Sequence, residues 1–234
     1  MMAVRSITQS FKMALLGTMV LSVVFALNQI NLSNYFPIRT VRVYGANRVN
    51  HQEIEDLLLP IVKRGFFTIN VEYIRDRLLQ IPWISDLYVR RVWPDQVEIT
   101  MIERNAVARW NDESLLSDAG ELFSPKQTNY PDRMPKLIGP AGQQIVMLQF
   151  LKDINRLLLP IHAKISSLEL TPFFTWKVML DNGMMLQLGH KDILTRLDHF
   201  VKVYPKIVGS RLADIDYVDL RYSNGMAVRW KETS

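Results

Sequence analysis

"WISDLYVRRVWPDQVEITMIE", residues 83–103, carries the clearest structural signal in the chain. Leu87, Val89 and Trp93 share one side of an alternating pattern before Pro94-Asp95, and Val97, Ile99 and Met101 share one after it. Successive side chains of a strand point to opposite faces, so a period of two predicts two strands with one apolar face each. The Pro-Asp pair between them supplies the turn. A lone hairpin is marginal in water, so this apolar face needs a cover from elsewhere in the chain.

The cover lies just upstream. Asn50, with Glu53 three residues on, has the form of a capping box in which Asn takes the usual Ser or Thr place. Ile54, Leu57, Leu58 and Ile61 follow at helical spacing. "KRGFF" (63–67) breaks that helix, and Asn70 caps a second whose Val71, Ile74 and Leu78 share a face before Pro82 ends it. Ahead of both, "IRTVRVYG" (38–45) alternates with Val41 and Val43 on one side and closes on a glycine turn. The order strand, helix, helix, strand, strand predicts an α+β module over 38–104, with two amphipathic helices on one face of a small mixed sheet.

Residues 105–234 read as a second, β-rich domain. "RWNDESLLSDAGELFS" (109–124) places short strands on either side of a turn at Asp118-Ala119-Gly120. Gln144 to Leu159 is helical, with Met147, Leu151, Ile154 and Leu158 in one row. "SSLELTPFFTWKVMLDNGMMLQLG" (166–189) holds at least two strands, the last pair joined by Asp181-Asn182-Gly183. Ile193, Leu194, Leu197, Phe200, Val201 and Tyr204 form a broad helical stripe that Pro205 ends. "YVDLRYSNGMAVRW" (217–230) reads as two strands joined by a tight turn at Asn224-Gly225, with Val218, Leu220 and Tyr222 on one face and Tyr217, Asp219 and Arg221 on the other. The expected architecture is a mainly antiparallel sheet with helices on one face. Its last strand, Met226 to Trp230, has no later strand to cover it, and carries no proline and no lysine to blunt a free edge before Lys231.

The N-terminus belongs to neither domain. No charged residue stands between Lys12 and Arg39, and residues 13–30 are almost continuously apolar or small. That length is at the short end of what spans a bilayer as a helix. Arg5 and Lys12 lie on one flank, which puts residues 1–12 in the cytoplasm and everything beyond a 31–37 linker across the membrane. The alternative is a cleaved leader, for which Val24-Phe25-Ala26 offers a small-residue site.

The formal charge of +5 is not concentrated: residues 38–104 carry ten basic and nine acidic side chains. This mixed surface gives no electrostatic footprint for nucleic acid. The chain has no cysteine, which excludes disulfides, thiolate nucleophiles and cysteine-ligated zinc. Its four histidines, His51, His162, His190 and His199, show no metal-ligand spacing. No nucleophile elbow, phosphate loop or dinucleotide fingerprint occurs, and the acid pairs Asp112-Glu113 and Asp214/Asp216 read as solvated turn residues. The sequence therefore predicts no enzyme, cofactor or metal. Most aromatics (Phe66, Phe67, Trp83, Trp93, Trp110, Trp176) fit a core or half-buried sheet. Phe173-Phe174, after a proline, and Trp230, on the terminal strand, also fit a protein-binding surface.

The module over 38–104 resembles a POTRA domain, the polypeptide-transport-associated module of bacterial envelope proteins. "PWISDLYVRRVWPDQVEI" (82–99) is similar to the signature hairpin of the FtsQ/DivIB family of cell-division proteins. "ARWND" (108–112), "IGPAG" (138–142), "LGHKDILTRLDHFVKVYP" (188–205) and "YVDLRY" (217–222) follow in register. The resemblance implies a single-pass inner-membrane protein, periplasmic beyond its anchor and located at the division septum. It implies a non-enzymatic scaffold whose periplasmic part binds FtsB directly and FtsL with it, and which uses the POTRA module for recruitment. Family members receive FtsB along the C-terminal strand, which here implicates Tyr217, Arg221, Tyr222, Asn224, Gly225 and Trp230, with Arg221 pairing partner acids and Tyr222 as an anchor. Phe173-Phe174 stands where some relatives carry arginine, so apolar contact replaces an ion pair there. The rival readings are an anchored cell-wall hydrolase and a POTRA-type chaperone of envelope proteins.

Overall fold

The structure is a computed structural model that describes residues 17–19, 21–22, 36–207, 214–222 and 225–231. The expected span over 13–30 falls mostly outside these residues, and among them no helix is long and apolar enough to cross a membrane. The chain divides into two compact units, Met1–Ile102 and Glu103–Ser234.

The first unit contains β1 (Thr40–Tyr44), α1 (His51–Val62), α2 (Val71–Leu78), β2 (Ile84–Val92) and β3 (Gln96–Glu103). Both helices start where their caps dictate: the N–H of Gln52 donates to Asn50 Oδ1 and that of Tyr73 to Asn70 Oδ1, each at 3.0 Å. The sheet order is β1-β3-β2, with β1 parallel to β3. Ser85 bonds the carbonyl of Ile102 while Arg90 reaches Glu98, so β2 and β3 run antiparallel. Ile54, Leu58, Ile74, Leu78, Leu87, Val97, Ile99 and Met101 are all buried between sheet and helices. Each such side chain contributes about 1.5–3 kcal/mol by leaving water. Gly45 closes β1 at φ +81°, where a Cβ would run into the carbonyl of Met101. One expectation fails: Trp93 does not continue the buried face of β2 but sits in the turn over residues 93–95, 69% exposed.

The second unit adds β4 (Ala106–Trp110), β5 (Ser114–Ser117), β6 (Leu122–Phe123), β7 (Lys136–Ile138), α3 (Gln144–Leu158), β8 (Ile165–Leu170), β9 (Trp176–Leu180), β10 (Met185–Gly189), α4 (Ile193–Ile207), β11 (Ile215–Asp219) and β12 (Ala227–Trp230). Nine strands form one sheet in the order β12-β11-β10-β9-β8-β7-β4-β5-β6. It is mixed rather than simply antiparallel, because β4/β7, β7/β8 and β10/β11 are parallel pairs. Parallel neighbours need a crossover, and α3 and α4 are the crossovers for two of the three. The two helices touch each other and so share one face of the sheet. Their apolar rows, including Met147, Leu151, Ile154, Leu197 and Phe200, meet Leu168, Val178 and Leu186 in a single core. α4 does not stop at Pro205 but runs to Ile207, the proline giving up one hydrogen bond in the last turn, as Pro60 does in α1.

The C-terminal hairpin also departs from expectation. Asp219 pairs with Ala227, so residues 220–226, not a two-residue turn, connect the strands. Val218 and Leu220 are buried as predicted, but the stripe ends there: Tyr222 lies beyond β11 and is exposed. Asp219, assigned to the outer face, is 4% exposed.

Candidate functional site

β12 lies at one edge of the nine-stranded sheet. It pairs with β11 on one side, and among the described residues no strand pairs with the other. Its burial is shallow: only Val228 is half-buried, while Ala227, Arg229 and Trp230 are exposed. A strand paired on one side presents a row of backbone donors and acceptors on the other, a template for an incoming strand. Arg229 stabilises the edge from above, its Nε 3.5 Å from Asp216 and its guanidinium 5.8 Å from the ring of Tyr217.

The approach to β12 is held by charged groups. The backbone N–H of Arg221 donates to Asp219 at 3.0 Å, and its Nε and Nη2 donate to the same carboxylate at distances from 2.6 to 3.0 Å. This fork pairing is the strong geometry for arginine and carboxylate. The Arg221 guanidinium holds the Asp219 carboxyl below the usual carboxylate range, ahead of the opposing effect of burial. Gly189, at φ +74°, leaves the room in which the stem of Arg221 lies; a Cβ there would come 3.2 Å from Arg221 Cγ. From α4, Arg196 Nη1 donates to the carbonyl of Arg221 at 2.9 Å and that of Leu220 at 3.4 Å. A cleft of about 250 Å³ opens between α4 and the connection, lined by Thr195, Arg196, His199, Leu220, Tyr222, Gly225 and Met226.

Phe173 and Phe174 form the tip of the β8–β9 turn. Thr171 and Thr175 clamp its base, hydroxyl to hydroxyl at 2.7 Å, and Phe174 adopts φ +55°. Phe173 is 86% exposed. Trp176 pairs with Gly189, and β10 runs parallel to β11, so this tip and the 220–226 connection emerge at the same end of the sheet.

Of the sequence-derived residues, Tyr222 and Gly225 line the cleft, and Arg221 stands next to it with its carbonyl bonded by Arg196. Tyr217 is half-buried on β11, Trp230 lies at the far end of β12 with 37% of its surface exposed, and Asn224 is outside the described residues. Arg221 is not a free cation awaiting partner acids, since Asp219 already engages it. Asp219, Arg196 and Met226 were not anticipated. The one available signal was an acid, Asp219, set between the apolar Val218 and Leu220. Among the described residues no cluster of three or more His, Asp or Glu side chains could hold a metal.

A three-stranded β-α-α-β-β module followed by a mixed nine-stranded sheet defines an α+β protein of two units, whose last strand is, among the described residues, paired on one side only. Comparison with known families agrees with that class. Residues 36–104 match the family model described as POTRA domain, FtsQ-type, and residues 108–221 match Cell division protein FtsQ/DivIB, C-terminal. Proteins named Cell division protein FtsQ are similar along most of the chain. That of Coxiella burnetii is 35% identical over 83% of this chain and 81% of its own. That of Burkholderia pseudomallei is 32% identical over 83% and 80%, and that of Methylomonas methanica 31% over 83% and 79%. The chain belongs to the FtsQ/DivIB family of cell division proteins.

Proposed function

We propose that this protein is a non-enzymatic, bitopic scaffold of the division machinery. Residues 1–12 lie in the cytoplasm, 13–30 anchor the chain in the inner membrane, and 31–37 link it to a periplasmic POTRA domain (38–104) and β domain (105–234). Its work is to bind FtsB, and FtsL with it, and so to link early division proteins to septal peptidoglycan synthesis. The observation that carries the reading is the edge of β12, shallowly buried, paired on one side only among the described residues, and flanked by the cleft beside α4. A strand of FtsB adds to β12 through backbone hydrogen bonds, which give affinity, and its alternate side chains give selectivity. Tyr222 and Met226 receive an apolar side chain of that strand in the cleft. Tyr217, Gly225 and Trp230 border the added strand, Asn224 belongs to the same connection, and the exposed Phe173-Phe174 tip offers apolar contact at the same end of the sheet. Arg221 contributes the part of its guanidinium that Asp219 leaves in water.

The test is Tyr222→Ala in the full chain, with binding to a periplasmic FtsB peptide and unfolding both measured. Tyr222 is 58% exposed, so stability should change by no more than about 0.5 kcal/mol. Binding should fall at least tenfold, about 1.4 kcal/mol. Undiminished binding by the folded variant would remove Tyr222 from the site. For the topology, a reporter active only in the periplasm and fused after Ser234 should work; a soluble, N-terminally shortened chain in periplasmic extracts would establish a cleaved leader.

A further inference from the structure

A second cleft, about 770 Å³, opens at the other end of the same sheet. It lies where the segment before β7, the C-terminus of α3 and the start of β8 converge, and the β9–β10 turn closes it with Asp181. Its volume is within the range of built ligand sites. Two permanent cations line it, Arg133 and Lys164, together with His162. All three side chains are exposed, and among the described residues none has an ion pair or side-chain hydrogen bond. The lone acid, Asp181, accepts from the backbone N–H of Lys164 at 3.0 Å. Arg133 stands at φ +57° and His162 at φ +55°, so two residues of this cleft hold a backbone conformation that costs energy in any residue but glycine.

The cations are not explained by the fold. A helix C-terminus attracts positive charge, yet neither Arg133 nor Lys164 donates to a terminal carbonyl of α3, and Arg156 of the last turn pairs with Asp153 instead. Met134, Pro135 and Leu159 add an aliphatic shelf to the same lining, and Leu159 is 67% exposed. Cations above an aliphatic shelf complement a segment that carries carboxylates next to aliphatic side chains.

We propose that this cleft docks an acidic, aliphatic-rich peptide segment of a partner protein, independently of β12. Carboxylates of the segment pair with Arg133 and Lys164 while its aliphatic side chains cover Leu159. A sugar-rich anionic polymer would satisfy the cations but not the shelf. Because β8, β9 and β10 are successively antiparallel, this cleft and the 220–226 connection lie at opposite ends of the sheet. Both can be occupied at once.

The experiment uses the full chain in detergent micelles and a fluorescein-labelled hexapeptide of alternating glutamate and leucine, read by anisotropy. The glutamate peptide should bind at least tenfold more tightly than its glutamine counterpart. Arg133→Gly, which suits the backbone at that position, and Lys164→Gln should each reduce that preference at least threefold with unfolding unchanged. Equal binding of the two peptides by the unaltered chain overturns the proposal. So does a preference that survives in folded Arg133→Gly and Lys164→Gln chains. Displacement of the peptide by a soluble muropeptide at lower concentration than by unlabelled peptide would reassign the cleft to an anionic glycan fragment.

Discussion

The molecule contains two hairpins of opposite character. In β2–β3 the second strand is central in its sheet, covered by helices on one face and paired on both sides, with Val97, Ile99 and Met101 buried. In β11–β12 the second strand is the edge, paired on one side among the described residues and half-buried at a single residue. The first has its three-residue turn set by sequence; the second is joined by the longer 220–226 connection, held by Arg196 and by Arg221 on Asp219. Both read as amphipathic strand pairs, yet the second strand of one lies inside its sheet and that of the other ends it. Alternation of apolar residues announces a strand; only its neighbours decide whether that strand closes a core or offers an edge.

The sharpest way to break this contrast is Ile99→Asp. It buries an unpaired charge at the centre of the first sheet and should cost about 4 kcal/mol or more. Hydrogen exchange over residues 84–103 should lose its protection, and unchanged protection would show that β3 is not the covered strand. A smaller effect is expected at the other hairpin. Asp219→Asn removes half of the fork with Arg221 and should cost about 1–2 kcal/mol, moderated because the guanidinium is largely in water. The carboxyl of Asp219 titrates below its unfolded value of about 3.9, so the pair contributes fully above roughly pH 4. That contribution fades as the pH falls through the lower folded value. The stability difference between the chain and Asp219→Asn in urea should therefore be present at pH 7 and shrink toward pH 3; a difference that grows on acidification would contradict the pairing. The smallest effect belongs to Arg90→Ala. Arg90 bridges Glu98 across the first hairpin but is mostly in water, so about 0.3 kcal/mol is expected from urea midpoints. A loss above about 1 kcal/mol would mean that surface charge, not burial, distinguishes the two hairpins.

These elements also mark what the sequence reveals. The caps at Asn50 and Asn70, the helical rows and the 84–103 alternation are local signals, fixed by residues within a turn or two of each other. The order of the large sheet is not local: β4/β7, β7/β8 and β10/β11 join segments separated by crossovers, and no short-range pattern specifies which strands meet. At the candidate site, the free last strand and the exposed aromatics were legible. The fork between Asp219 and Arg221 was not, because alternation assigns residues two apart to one outer face and says nothing of a strand that stops at Asp219. Arg196 was hidden for a similar reason: its helix pattern places it on the edge of the apolar stripe, and its acceptors are carbonyls far along the chain.

Arg196 has one more consequence. Its two bonds tie the carbonyls of Leu220 and Arg221 to α4 in the isolated chain. Leu220 and Arg221 are thus fixed before anything adds to β12, and the entropy of fixing them is lost on folding rather than on association. On the proposed reading, the incoming strand must order itself but meets these two residues already in place. Loosening Arg196 is therefore expected to weaken the proposed association through the two carbonyls it holds, apart from any contact its own side chain makes in the cleft.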